Sequence, residues 1–235
     1  MQIGGAAQQP GAGAGTVDDG LVRALPPAAE PLMGVVPGSG PAVRIAILGE
    51  STAAGTGSPT HETSMAGHLA RALHERDGRE VMWRVLGRNG ATARRVTREL
   101  VPRIIEDGWT PTHVVVLIGM NDVQRTWRRR TWERHIGTLL GDLARRCPDA
   151  RVIVSGLPDL HGIPALARGL LPLLVARAQR MAAVTHAAAR AAGAVYVPID
   201  HIELTGDFLA ADGMHPSPEG YRRWAAEVVP FLVSR

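Results

Sequence analysis

Short apolar runs recur along the chain, and each is too continuous for a strand that keeps one face in water. The five runs are Val43–Leu48, Val81–Leu86, His113–Ile118, Arg151–Ser155 and Ala194–Val197. Runs of this length, rich in Val, Ile and Leu, are typical of strands buried on both faces of a parallel sheet. The pattern therefore predicts five buried strands.

Between these runs, apolar residues recur at helical spacing behind residues that commonly open helices. The predicted first residues or caps are Thr63 or Ser64, Thr92, Thr131 and Ser217, and a further long helix ends at Gly193. Strand and helix alternate with no internal repeat, which favours right-handed crossovers and helices on both sides of the sheet. We predict a three-layer α/β/α sandwich, flavodoxin-like, with a five-stranded parallel sheet.

The N-terminal segment has a different composition. Residues 1–20 are rich in Gly, Ala and Gln and are predicted to be disordered, because they offer little apolar surface to offset their ordering entropy. Residues 21–41 mix apolar side chains with prolines and are predicted to form an extended arm. The globular domain is then residues 42–235, within the size range of one domain.

Charge and cysteine content limit the classes of partner and the cell compartment that we expect for this chain. The chain carries 26 basic and 22 acidic residues, a net charge of only +4, and its pI near 10.4 reflects arginine used without any lysine. Nucleic acid is therefore not an expected partner. The single cysteine, Cys147, excludes an intrachain disulfide and is expected at a buried helix end. With no signal peptide and no run of about 20 apolar residues, we expect a soluble, cytoplasmic protein without stable membrane insertion.

Polar or small residues follow the predicted strands where ligands usually bind in open α/β sheets. Ser51 follows the first strand, Gly90 the second and Asn121 the third, while Asp212 and His215 precede the last helix. Taken alone, each has a structural interpretation: Ser51 as a helix cap, Asn121 as a turn residue, Asp212 as a loop residue and His215 as one of nine histidines. Together, they are expected to converge at one edge of the sheet.

The ordered blocks resemble those of the SGNH (GDSL-type) hydrolase family. They are Gly49-Glu50-Ser51, Gly90, Gly119-Met120-Asn121-Asp122 and Asp212-Gly213-Met214-His215. The resemblance spans roughly residues 43–232 and identifies residues 42–235 as the hydrolase domain. The usual first block reads Gly-Asp-Ser, so Glu50 departs from it, and we hypothesise that the longer carboxylate still braces the turn.

The resemblance implies a role for each block. A serine hydroxyl needs a base in reach, so Ser51 is expected as nucleophile, His215 as general base and Asp212 as the group that orients the ring. The backbone N–H groups of Ser51 and Gly90 and the side-chain amide of Asn121 are expected to form the oxyanion hole. Asp122 is expected to stabilise a turn.

Other chemistries fit poorly. The turn at Ser51 is not the G-x-S-x-G elbow of α/β-hydrolases, and Gly55-Thr56-Gly57 lacks the lysine of a phosphate-binding loop. No cysteine pair or His-Glu-x-x-His helix offers a metal site, so neither metal nor cofactor is expected.

Apolar residues near the proposed site are expected to bind substrate. They are Met120, Trp127, Leu157 and Met214, each of which has an alternative place in the core. Arginines between Arg125 and Arg134 form a basic cluster, interpreted either as a solvated helix entrance or as an anion site. The sequence leaves the oligomeric state open.

The expected function is hydrolysis of a small-molecule carboxylic ester with a small to medium acyl chain, through an acyl-serine intermediate. Alternatives are O-deacetylation of a carbohydrate or other natural product, acyl transfer by the same residues, and a catalytically silent binding module.

Overall fold

The structure is a computed structural model that describes residue 27 and residues 32–125 and 128–233. Its strands are β1 (Met33–Val36), β2 (Ser39–Gly49), β3 (Arg79–Gly87), β4 (His113–Leu117), β5 (Arg151–Ser155) and β6 (Val195–Val197). Its helices are α1 (Met65–Asp77), α2 (Ala93–Glu99), α3 (Met120–Gln124), α4 (Arg129–Arg146), α5 (Leu171–Ala191) and α6 (Pro218–Val233). Short 3₁₀ helices span His61–Thr63, Val101–Arg103, Leu160–Gly162 and Arg168–Leu170.

The strands form one sheet in the order β1-β3-β2-β4-β5-β6, in which all pairs except β1–β3 are parallel. Without β1, the order is that of a flavodoxin-like sheet, in which the first strand lies between the second and the third. Alternate strand residues point to opposite faces. One apolar core lies between the sheet and helices α2, α4 and α5, and the other lies against α1 and α6. The predicted three-layer α/β/α sandwich is confirmed.

The predicted strand count was wrong by one. The sheet has a sixth strand, β1, which runs antiparallel to β3 at the sheet edge, with Met33 opposite Arg84 and Val36 opposite Val81. Its four residues alternate between exposed and half-buried positions and precede Pro37. So short a strand gives too weak a pattern to detect, and its place is decided by the free edge of β3. Residues 1–26 and 28–31, and thus most of the predicted disordered tail and arm, lie outside the described residues.

Helix boundaries follow the predicted caps with one exception. Thr92 precedes α2 and its hydroxyl accepts a hydrogen bond from the Arg95 amide, and Ser217 does the same for Gly220 before α6. Thr131 was wrongly predicted as the cap of α4. That helix begins at Arg129, because the carbonyl of Arg128 already accepts from the Thr131 amide at 2.9 Å. Cys147 is the buried residue at the end of α4, where burial raises the pKa of its thiol.

The carboxyl ends of β2, β3 and β4 bring the candidate site together. Neighbouring strands β2 and β4 carry Ser51 and Asn121 just beyond their ends, at the point where the strand order reverses. Gly49 ends β2 with φ of 154°, and a Cβ there would collide with the carbonyl oxygen of Leu117 on β4. Only glycine therefore allows the Ser51 turn to lie so close to β4.

Candidate active site

Ser51 lies in a turn that is held from several sides. The amide of Glu50 donates to the Leu117 carbonyl at 3.0 Å, and the Thr56 amide donates to the Ser51 carbonyl at 3.0 Å. The hydroxyl of the fully buried Tyr221 donates to the carbonyls of Thr56 at 2.7 Å and Thr52 at 3.2 Å. The serine is half-buried at the end of this turn, so its hydroxyl is both held in place and accessible.

His215 and Asp212 lie in the loop before α6 and extend from the Ser51 hydroxyl in a chain. The Nε2 atom of His215 is 2.9 Å from Ser51 Oγ, and its Nδ1 atom is 2.6 Å from Asp212 Oδ2. The other carboxylate oxygen, Oδ1, accepts from the backbone amides of Met214 and His215, both at 3.0 Å. One loop thus presents both side chains, and the backbone of that loop fixes the carboxylate.

The His215 loop packs closely against the Ser51 loop. Gly57 has φ of 94°, and a Cβ at this position would collide with the Pro216 carbonyl oxygen and lie 3.2 Å from the Cβ of His215. A glycine is therefore needed there both for the backbone conformation and for the close approach. This contact sets the separation of Ser51 and His215.

Asp212 is held in its charged form. Its side chain is only 3% exposed, and burial alone would raise the pKa of this carboxyl. The hydrogen bonds from His215 and Met214, together with the proximity of the His215 ring, outweigh burial and leave the pKa below its usual value. Asp212 is therefore a carboxylate at neutral pH, suited to accept the Nδ1–H of His215.

Glu50 occupies the opposite side of Ser51 and is fully buried. Its Oε1 accepts from the Met120 amide at 2.8 Å, and its Oε2 accepts from the amide of Asn121 at 3.0 Å and from the side-chain Nδ2 of Asn121 at 2.5 Å. Burial raises the pKa of Glu50 to about 7, reinforced by the charge of Asp122 and opposed by these hydrogen bonds. Glu50 thus bonds through its side chain to the first turn of α3, which follows β4.

The three predicted oxyanion donors differ in their hydrogen bonding. Among the described residues, the backbone amides of Ser51 and Gly90 have no hydrogen-bond acceptor, and Gly90 is exposed. The side-chain Nδ2 of Asn121, however, donates both to Glu50 and to the Ala91 carbonyl, the latter at 3.1 Å. Asp122 accepts from the Ala93 amide at 2.8 Å and so ties α2 to α3. Sequence reasoning did not anticipate that Asn121 and Glu50 are partners.

A small apolar cavity adjoins the Ser51 hydroxyl. It has a volume of about 40 Å³, and Ser51, His215 and three of the predicted substrate-binding residues, Met120, Leu157 and Met214, line it. Trp127, the fourth, lies outside the described residues. Sequence reasoning missed further lining residues, Leu204, Phe208 and Leu209, because they lie in a loop with no periodic pattern.

A second cavity of about 300 Å³ lies on the other side of Leu157 and Pro158, which line both. Its walls include polar side chains, among them Asp159, Gln179 and Asp200. Ser51 lines only the smaller of these two cavities.

Neither a metal-binding cluster nor a membrane-spanning helix is present in the described part of the chain. No group of three or more His, Cys, Asp or Glu side chains in residues 32–125 and 128–233 is placed to hold a metal ion. No helix in this part of the chain is long and apolar enough to cross a membrane.

The chain is similar to known proteins in sequence and in fold. The sequence model of GDSL-like lipases and acylhydrolases matches residues 47–223, which include Ser51, Gly90, Asn121, Asp212 and His215. The chain belongs to the GDSL-like lipase/acylhydrolase family. It therefore belongs to a family of serine hydrolases, as the four sequence blocks predicted.

Individual relatives of this GDSL-like chain are similar to it in sequence or in fold. A GDSL-like esterase of Mycobacterium tuberculosis is 34% identical over an alignment of 191 residues that covers 76% of this chain and 58% of that protein, so this chain spans less than two thirds of that relative. The crystal structure of TesA superposes with a TM-score of 0.63 at 19% identity, covering 82% of this chain and 98% of TesA. A lipase/acylhydrolase of Enterococcus faecalis gives a TM-score of 0.59 at 20% identity, covering 80% and 94%. At these identities, the two structures support the fold alone.

Proposed function

We propose that the protein is a serine esterase in which Ser51 is the nucleophile. The observation that carries the proposal is the unbroken hydrogen-bonded chain from Asp212 through the His215 ring to the Ser51 hydroxyl, 2.6 and 2.9 Å long at its two links. His215 accepts the serine proton as Ser51 attacks the ester carbonyl, and then gives it to the leaving alkoxide. Asp212 keeps the ring in the tautomer with its proton on Nδ1.

The oxyanion formed in this attack needs donors that are already oriented. The amides of Ser51 and Gly90 are suited to this because, among the described residues, neither has an acceptor in the free protein. Asn121 completes the set in our proposal by sharing one of its two Nδ2 hydrogens between the oxyanion and its present acceptor, Glu50 or Ala91. Water then hydrolyses the acyl-serine by the same steps.

A small acyl group fits the cavity beside Ser51. Its volume of about 40 Å³ holds only a few non-hydrogen atoms, and Leu157 lines both this cavity and the larger one. We therefore place the acyl chain in the small cavity and propose that short-chain esters are the preferred substrates.

The larger cavity supports an alternative within the same chemistry. Its acidic and amide side chains, Asp159, Gln179 and Asp200, favour hydroxyl groups over a hydrocarbon chain. An acetyl group beside Ser51 and a hydroxylated alcohol extending past Leu157 would make the enzyme an O-deacetylase.

Covalent labelling tests the nucleophile. A fluorophosphonate should modify folded protein at Ser51, and Ser51→Ala should remove the adduct while Ser217→Ala should not. Ser217 is the matched control, because its hydroxyl accepts from the Gly220 amide in a helix cap and it has no histidine partner. Absence of an adduct on Ser51 would support a silent binding module instead.

A set of esters separates the two substrate classes. Turnover of p-nitrophenyl esters of increasing chain length should be greatest for the shortest chains, and Leu157→Ala should shift the optimum to longer ones by joining the two cavities. Faster release of acetate from acetylated sugars than from p-nitrophenyl acetate would favour the O-deacetylase. An unchanged chain-length profile in Leu157→Ala would contradict the placement of the acyl chain.

A further inference from the structure

A second polar groove lies between α2 and α4 and shares no lining residue with the cavity at Ser51. It is an open groove of about 690 Å³, lined by Arg94 and Arg98 from α2, Arg134 and His135 from α4, and three threonines. Every lining side chain can form hydrogen bonds, and none is acidic. Arg94 and Arg98 are one helical turn apart on α2, and Arg134 lies on α4. Guanidinium groups therefore reach the groove from both of its walls.

Positive charge in this region is not balanced by nearby carboxylates. Glu99 is within 2.9 Å of the guanidinium groups of Arg88, Arg95 and Arg98, so one negative charge is shared by three positive ones. Within the part of the chain that the structure describes, Arg94 and Arg134 form no ion pair. Glu133, the acidic residue next to Arg134, is exposed and does not line the groove.

The pKa of His135 is affected by this excess of positive charge. Burial lowers the pKa of its ring, and the charges of Arg134 and Arg94 lower it further. Exposed arginines on a single helix face are commonly just solvated. Here they converge from two helices around a half-buried histidine, in a groove without an acidic residue, which favours an anion as the occupant.

We propose that the groove between α2 and α4 binds a phosphate-bearing ligand through Arg94, Arg98 and Arg134. The planar guanidinium fork matches two phosphate oxygens at once, which is why arginine is preferred over lysine for this task. Because the arginines stand on both walls, a ligand with two linked phosphates can engage both helices. This site is independent of the proposed esterase activity.

Calorimetric titration with inorganic pyrophosphate tests the proposal on the full chain. The double variant Arg94→Gln/Arg134→Gln should bind about tenfold more weakly than the wild-type protein, or weaker still, because it loses two charged hydrogen-bond donors. The control Arg146→Gln/Arg190→Gln removes the same charge from exposed positions outside the groove and should bind like the wild type. All four residues are exposed, so both variants should fold and keep their turnover of p-nitrophenyl acetate.

Two further measurements distinguish the source of the phosphate and the place of binding. Vesicles of phosphatidylcholine with and without phosphatidic acid show whether the group is presented by a lipid, since binding to the acidic vesicles alone, lost in the groove variant, identifies a headgroup. Bound pyrophosphate should raise the pKa of His135 in an NMR titration, because a nearby negative charge favours the protonated ring. Equal weakening in the control variant, or no binding of either probe by the wild type, would overturn the proposal.

Discussion

Two buried carboxylates flank Ser51, and their pKa values are shifted in opposite directions. Asp212 accepts three hydrogen bonds and has a lowered pKa, while Glu50 also accepts three and has a pKa of about 7. The number of hydrogen bonds therefore does not explain the difference. Its cause lies in depth and in neighbouring charge, because Glu50 is fully buried and faces Asp122, whereas Asp212 faces the His215 ring.

The two sides of Ser51 differ in how their hydrogen-bonding groups are arranged. On the His215 side, the partners needed for proton transfer are already within hydrogen-bond distance in the free protein. On the Asn121 side, the amide that we propose as an oxyanion donor is bonded to a carboxylate whose protonation changes near neutral pH. Changes on the first side should affect chemistry, and changes on the second should affect both stability and chemistry.

Removing the His215 ring should have the largest effect. His215→Ala is expected to lower kcat for p-nitrophenyl acetate by a factor of at least ~10³, because no base remains to accept the serine proton. The melting temperature should change little, since the Asp212 carboxylate keeps its hydrogen bonds from the backbone amides of residues 214 and 215. The matched control is His201→Ala, which removes a histidine paired with Glu227 at 3.0 Å on the surface and should leave kcat unchanged. Substantial turnover by His215→Ala would contradict the assignment.

The contribution of Glu50 to the stability of the protein should fall as pH rises from about 4.5 to about 7. Glu50 has a pKa of about 7 in the folded chain against 4.5 as its ordinary value, so the folded state binds more protons in this window and is favoured at its acidic end. The full shift corresponds to roughly 3 kcal/mol. Asp212, with its lowered pKa, contributes in the opposite sense and loses its stabilising effect only as pH falls below 3.8.

Urea unfolding at several pH values, compared between the wild-type protein and Glu50→Gln, isolates the Glu50 contribution. The difference in unfolding free energy should vary with pH across this window, because glutamine does not titrate. Parallel curves for the two proteins would show that Glu50 has an ordinary pKa.

Glu50→Gln should also reduce activity, by a smaller factor of about ten. A glutamine has one acceptor oxygen where Glu50 has two, so one of the donors on Met120 and Asn121 loses its partner. The first turn of α3, which carries the Asn121 amide, is then less well fixed. The measurement is kcat above pH 7, where the wild-type Glu50 is charged. Glu50→Asp restores the usual family residue and should keep more activity than Glu50→Gln. Equal kcat in all three proteins would show that Glu50 does not contribute to turnover.

Much of the fold could be predicted because it rests on local patterns. Arg151–Ser155 was predicted with the bounds that the structure gives, and the other four apolar runs differ from the observed strands by one to four residues at an end. The hypothesis that Glu50 braces the turn named no partner, and the structure supplies one, because its carboxylate accepts from the amides of Met120 and Asn121 at the start of α3. No pattern within the Gly49-Glu50-Ser51 block indicates that distant contact.

The sequence by itself determined the alternation of strands and helices and the spacing of Asp212 and His215, since these depend on residues close together in the chain. It also determined the family, since that depends on the order of four short blocks along the chain. The tertiary structure alone decided which groups meet from far apart: Ser51 with His215, Glu50 with Asn121, and Arg94 with Arg134 across two helices. It also decided the charge of the two carboxylates. A pKa depends on burial and on neighbours in space, and the order of residues along the chain specifies neither until the chain has folded.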